Sequence, residues 1–175
     1  GGAIGEVHSA KIVGILKRCL QKKLSAMVFL LDSGGVRLQE ANAGELGVSE
    51  IIRAILDLRA AKIPVFAVVG GSSGAFGGAS IISACCDYLI VSEEARIGVS
   101  GPEVIETNMG VETFDSRDRA LVWRTYGGKN RFLQKQANLL LENSAADFRT
   151  AVIGLLSVPT NYSLQSLEDE LQLLE

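Results

Sequence analysis

The chain has 175 residues, 47% of them hydrophobic, and 17 Lys and Arg against 20 Asp and Glu give a formal charge of −3. That length suits one domain burying about 70% of the surface its unfolded chain exposes. The mild acidity leaves no electrostatic footprint for nucleic acid, and no run of about 20 residues is apolar enough for a membrane span. Three cysteines, Cys19, Cys85 and Cys86, match no metal-ligand spacing and read as buried thiols of a reducing compartment. The opening GGAIGEVHSAKIVGIL has neither an initiator Met nor the layout of a secretory signal, so the expectation is a cytoplasmic protein incomplete at its start.

Taken in order, Val7, Val13, Leu16, Leu20 and Leu24 predict an amphipathic helix over 6–24. AMVFLLD (26–32) is short and continuously apolar, which predicts a strand covered on both faces and ending at Ser33-Gly34-Gly35. A helix over 45–62 carries Ile51, Ile52, Ile55, Leu56 and Leu58, and Pro64 stops it. The strand VFAVVG (65–70) runs into glycines, a small-residue helix over about 76–86 and the strand YLIV (88–91). Strand, glycine turn and helix thus repeat, so 26–32 and 65–70 should be parallel neighbours whose glycine turns open on one sheet edge. Further on, 95–107 reads as a short strand, a turn and a proline-started helix, and 115–127 as a helix capped by Asp115 or Ser116. Helices are also expected over 131–142 and 145–157, and SVPTNYSLQS (157–166) as a connector before a last helix. The domain expected is 1–156, with 157–175 as connector and C-terminal helix.

Five glycines fall between residues 70 and 78, and Gly70-Gly71-Ser72-Ser73-Gly74 fits the G-x-S-x-G elbow of serine hydrolases. That chemistry needs a base placed after the nucleophile, whereas the single histidine, His8, precedes Ser72 and reads as a surface or helix-packing residue of the first helix. Dinucleotide and Walker fingerprints are absent. What remains is glycine as access to main-chain donors: amides of Ser33–Val36 and of Phe76–Gly78 could converge on one developing oxyanion. The plainer use is close packing of a helix on the sheet, and both stay open at this point.

The segments LLDSGGVRLQEA (30–41), GAFGGASIISACCDYLIVSEEARIGVSGPEVIET (74–107) and the opening GGAIGEVHSAKI resemble the carboxyltransferase branch of the crotonase fold. GPEVIET followed by FDSRDRALVWRTYGG (114–128) resembles more narrowly the malonate decarboxylase β-subunit family. The resemblance implies an α/β, crotonase/ClpP-like fold with a mostly parallel sheet and flanking helices. It also implies decarboxylation of a malonyl thioester on an acyl-carrier protein to the acetyl thioester. The implied partners are a γ subunit of related fold, the acyl-carrier protein and an acyl-transferring α subunit. No cofactor is implied on the chain itself, since the substrate rides on the carrier's pantetheine-type arm. Paired C-x-x-C motifs of zinc-ribbon relatives are missing, so no metal is inferred. Carboxyl transfer to biotin, and a non-catalytic subunit shaping its γ partner, are the alternatives.

Carried onto this sequence, the resemblance puts the backbone oxyanion donors at Gly34, Gly35 and Val36 and at Gly77 and Gly78. Breaking the bond to the carboxylate leaves an enolate oxygen, so donors are needed and a base is not. Phe76 and Leu38 are candidates for the apolar surround, Phe76 having ordinary core as its plainer role. Arg37 could meet a phosphate of the arm or form a surface pair with Glu40 or Glu45. The final proton could come from water, Ser33 or Glu106, and Trp123 is a candidate subunit-contact anchor.

Overall fold

The computed structural model describes residues 2–158 and Gln172. The last helix expected beyond the connector therefore lies outside the described residues, apart from Gln172. In chain order the elements are α1 (Glu6–Lys22), β1 (Met27–Leu30), a 3-10 turn (Leu38–Glu40), α2 (Asn42–Ala60) and β2 (Val65–Val69). There follow β3 (Ala75–Phe76), α3 (Gly78–Ala84), β4 (Tyr88–Ser92), β5 (Ile97–Gly98) and α4 (Pro102–Met109). The series ends with α5 (Arg119–Tyr126), α6 (Gly128–Leu133), β6 (Leu139–Leu141) and α7 (Ala145–Leu155).

A parallel sheet of order β1-β2-β4-β6 forms, as the repeated strand–turn–helix pattern predicts. β2 sits inside it with all five residues buried, the outcome expected of an uninterrupted apolar run. On one face Val65, Ala67, Val69, Leu89 and Val91 pack with Leu16 of α1 and Ile51, Ile55 and Leu58 of α2. The apolar stripes of both helices are thus spent here, each fully buried Leu or Ile contributing about 1.5–3 kcal/mol. On the other face Phe66, Val68 and Ile90 meet Phe148, Ala151, Val152 and Leu155 of α7. Phe66 stacks on Tyr88 with ring centroids 5.0 Å apart.

A second, smaller layer crosses the ends of the first. β3 pairs with β5 in parallel, and single bridges join Ser33 to Ala75 and Ile4 to Val36. Residues 33–36 are thereby held from both sides. Ser33 N–H donates to Gly74 O at 2.8 Å and Phe76 N–H to Ser33 O at 3.0 Å, while Ile4 N–H donates to Gly35 O at 2.7 Å. This two-residue strand pair is too short to register as a pattern, and the helix expected over 76–86 loses its first residues to it.

Three expectations are corrected. β1 is an edge strand, not a doubly covered one: Leu30 is 79% exposed, because α7 packs on β2, β4 and β6 and stops short of it. The helix expected over 131–142 ends at Leu133, Lys135 takes a positive φ of 60°, and Leu139–Leu141 joins the sheet as β6. Pairing with β4 overrides leucine's helix propensity there, helped by Asn138, whose Oδ1 accepts Leu89 N–H at 2.6 Å. Helix α5 is capped by Asp118, which accepts the N–H groups of Ala120 and Leu121, and not by Asp115 or Ser116. Asp115 instead receives the Arg117 N–H, and Ser116 donates its own to Glu106.

A polar brace ties the elements behind the sheet. Arg59 at the end of α2 lies 2.9 Å from Asp87 and donates to Cys85 O at 2.8 Å. The second Asp87 oxygen accepts Val65 N–H at 2.8 Å, at the start of the central strand. All three cysteines are free, Cys19 and Cys86 buried and Cys85 half-buried. Burial raises their thiol pKa values, most of all that of Cys86, where neighbouring Cys85 and Asp87 add to it.

Candidate functional site

Two glycine turns meet where the layers cross. Gly35 has a φ of +110° and Gly77 of +53°, a region that side-chain-bearing L-residues rarely enter. They also lie back to back. A Cβ on Gly35 would sit 2.8 Å from Phe76 O and 3.2 Å from Gly77 Cα, and one on Gly77 would sit 3.4 Å from Gly35 Cα. Glycine is therefore required twice over, by backbone conformation and by contact. The expectation that the turns following the first two strands become neighbours holds.

Gly35→Ala should lower stability by about 1–3 kcal/mol, the range for a residue held in sparsely populated backbone conformation. Chemical denaturation checks this, and an unchanged midpoint would mean that the turns do not touch as described.

The hydrogen bonds around these turns separate the candidate donors. Gly34 N–H is committed to Gly2 O at 2.9 Å, Gly35 N–H to Ser33 Oγ at 3.2 Å, and Gly77 N–H to both Gly98 O and Val99 O at 3.1 Å. Val36 and Gly78 N–H have no partner among the described residues. Because Gly35 O and Arg37 N–H face Ile4, strand alternation turns the Val36 N–H to the opposite side, toward Gly77. A Cβ on Gly77 would lie 3.7 Å from that nitrogen. Gly78 is the first residue of α3, so its N–H is one of the donors a helix start leaves over, at the positive end of the dipole. Val36 also walls the second turn: its Cγ2 would be 3.0 Å from a Cβ on Gly78. Two unengaged amides thus lie on touching turns, with Val99, 66% exposed, beside Gly77. Such an arrangement can hold negative charge on one oxygen without any titrating group.

The side-chain candidates fall differently. Phe76 is buried with Phe114, Val122 and Tyr126, its ring centroid 5.6 Å from that of Tyr126, the core role considered for it. Leu38 is 86% exposed next to the first turn. Arg37 lies 3.5 Å from Glu40, the surface pairing considered for it. Ser33 Oγ donates to Gly2 O at 3.1 Å while accepting the Gly35 amide, so its proton is already engaged. Glu106 accepts Ser116 N–H at 2.7 Å, and hydrogen bonding from the Ser116 side chain, then from its backbone, holds the carboxyl below the ordinary glutamate pKa, with Arg117 adding to the effect. At neutral pH it is a carboxylate with no proton to give. Ser72 and His8 are exposed, His8 on α1 and Ser72 in the turn after β2.

Other residues that build the site carry no sequence signal. Glu40 accepts Glu6 N–H at 2.6 Å, capping α1 from the far side of the first turn. Asp32 accepts Gly74 N–H at 3.0 Å, and Arg96 donates to Ser72 O at 2.7 Å and lies 6.0 Å from the Phe76 ring centroid. Arg131 donates through Nη2 to Ile97 O and Thr125 O, both at 2.9 Å, tying α5 to β5. Burial lowers the pKa of that guanidinium. Only the spatial neighbourhood reveals these roles.

A mostly parallel sheet with flanking helices, crossed at its strand ends by a small layer carrying two glycine turns, is the crotonase-like carboxyltransferase fold. The chain belongs to the carboxyl transferase domain family, whose model matches residues 1–126. Malonyl-S-ACP:biotin-protein carboxyltransferase MADC of Malonomonas rubra is 34% identical over 197 aligned positions, covering all of this chain and 62% of MADC. A chain of the Pseudomonas malonate decarboxylase hetero-tetramer, solved with malonate, is 39% identical with a TM-score of 0.88, over 98% of this chain and 64% of that one. A chain of the Pseudomonas malonate decarboxylase MdcD-MdcE hetero-dimer is 35% identical with a TM-score of 0.80, over 98% of this chain and 73% of that one. This chain thus spans a little under two thirds of MADC and of the hetero-tetramer chain. Among the described residues no helix is long and apolar enough to cross a membrane.

Proposed function

We propose that the chain is the β-type subunit of a malonate decarboxylase, removing CO2 from a malonyl thioester held on an acyl-carrier protein. The observation that carries this reading is the pair of unengaged amides, Val36 and Gly78, on two touching glycine turns. The bond between the α carbon and the carboxylate breaks, its electron pair moves onto the thioester oxygen as an enolate, and the two N–H groups hold that oxygen. CO2 leaves. Water then protonates the α carbon, since Ser33 and Glu106 have no free proton to supply, and the acetyl thioester results. The likeness to malonate decarboxylase structures supports the substrate, and their hetero-oligomeric assembly supports work alongside a γ subunit, an acyl-transferring α subunit and the carrier.

Carboxyl transfer to biotin is the second reading, favoured by the identity to MADC. Both pass through the same enolate, and they part at the fate of the carboxyl carbon. In the assembled complex, carboxyl-labelled malonyl carrier should release labelled CO2 promptly with no biotin protein present. Label that leaves the thioester only when a biotin protein is added, and appears on it, would overturn decarboxylation in favour of transfer.

A further inference from the structure

A groove of about 1230 Å³ lies away from the glycine turns, and its lining identifies which part of the sheet it follows. Leu139, Leu140 and Leu141 all border it, although consecutive strand residues point to opposite faces. Leu139 and Leu141 belong to the α7 side of the sheet and Leu140 to the α1–α2 side. A cavity touching all three runs along the outer edge of β6, not over a face. That edge is the end of the sheet: among the described residues β6 pairs with β4 alone, leaving one side of its backbone without a strand.

The walls and their charge narrow the occupant. Trp123 and Arg124 of α5 and Lys129 of α6 form part of one wall, and Asp147, Thr150 and Ala151 of α7 part of another. Four carboxylates, Glu93, Glu94, Glu142 and Asp147, stand against two cations, and Lys129 lies 3.5 Å from Glu93. The excess is negative. The carboxylates gather after the C-terminal ends of β4 and β6, while the leucines make the middle of the groove apolar. Trp123, 39% exposed, offers a ring to a cation or an alkyl stem.

The geometry points to a docking site for an extended segment of a partner protein, added to β6 as a further strand, with apolar residues over Leu139–Leu141 and a Lys or Arg at the end nearest Glu142 and Asp147. Main-chain hydrogen bonds supply affinity in this mode, and alternate side chains supply selectivity. The chain's own tail is disfavoured by charge. Residues 159–175 contain four acidic residues and no Lys or Arg, so their charge repeats that of the groove. This site is separate from the thioester chemistry, and neither depends on the other.

Trp123 is the chain's single tryptophan, so its fluorescence reports on the groove directly. The probe is a capped hexapeptide alternating Val and Thr and ending Lys-Lys, titrated into the full chain alongside an equivalent ending Glu-Glu and one with alternate backbone nitrogens methylated. A saturable emission shift is expected with the Lys-Lys peptide. Binding should be at least tenfold weaker for both controls, and for the Lys-Lys peptide on the exposed-site variant Glu142→Lys. No saturable shift, or equal binding of the Glu-Glu peptide, would overturn the proposal. Equal binding of the methylated peptide would overturn strand addition. Binding seen only after residues 159–175 are removed would assign the groove to the chain's own tail, and peptide that dissociates a dimer in sedimentation would assign it to a second copy.

Discussion

Gly78→Pro should lower kcat of the assembled enzyme by about 10²–10³-fold relative to Gly78→Ala, the loss typical of one oxyanion-hole donor. The comparison isolates the N–H at that position, which proline replaces with a ring carbon. Both substitutions place a Cβ at the same point, 2.7 Å from Val48 Cγ2 and 3.0 Å from Val36 Cγ2, so the stiff valines must give way equally in both variants. Alanine keeps the N–H and proline does not. Proline is also tolerated at the first position of a helix, where its missing N–H has no intrahelical role, and Gly78 occupies that position in α3. A KM that stays level while kcat falls would mark an interaction made only in the transition state. If the two variants turn over equally in an intact complex, the Gly78 amide is not a donor. The chain would then be a non-catalytic partner or would use other groups.

Asp87→Ala should destabilise the protein by about 3–5 kcal/mol, the range for breaking a buried ion pair and leaving its partner uncompensated. The Asp87 side chain is 7% exposed and that of Arg59 16%, and the same carboxylate receives the Val65 amide that opens the central strand. One substitution removes the carboxylate that faces the Arg59 guanidinium and accepts the Val65 amide. Arg53→Ala, which removes the exposed Arg53–Glu50 pair also lying on α2, should leave the denaturation midpoint unchanged. Equal effects from both would refute the brace.

The sheet was legible wherever a segment's environment matched its pattern. β2 is apolar throughout and buried throughout, and α1 and α2 lie within two or three residues of their periodic stretches. Legibility failed where neighbours decide. An apolar run such as β1 is written alike for a centre and an edge, and Leu139–Leu141 became a strand only because β4 and Asn138 received it. The touching of the glycine turns followed from strand order, so their meeting could be anticipated. Which amides remain available could not, because Gly34 and Gly77 are consumed by Gly2, Gly98 and Val99, contacts with no local signature.

The two turns and the backbone that holds them come from four stretches, 2–5, 33–37, 74–78 and 96–99, each secured to another by main-chain bonds. Nearly a hundred positions of chain must already be arranged before the turns can touch. On the proposed function, excised fragments should lack thioester turnover, and its return should report completed assembly of that stretch during refolding.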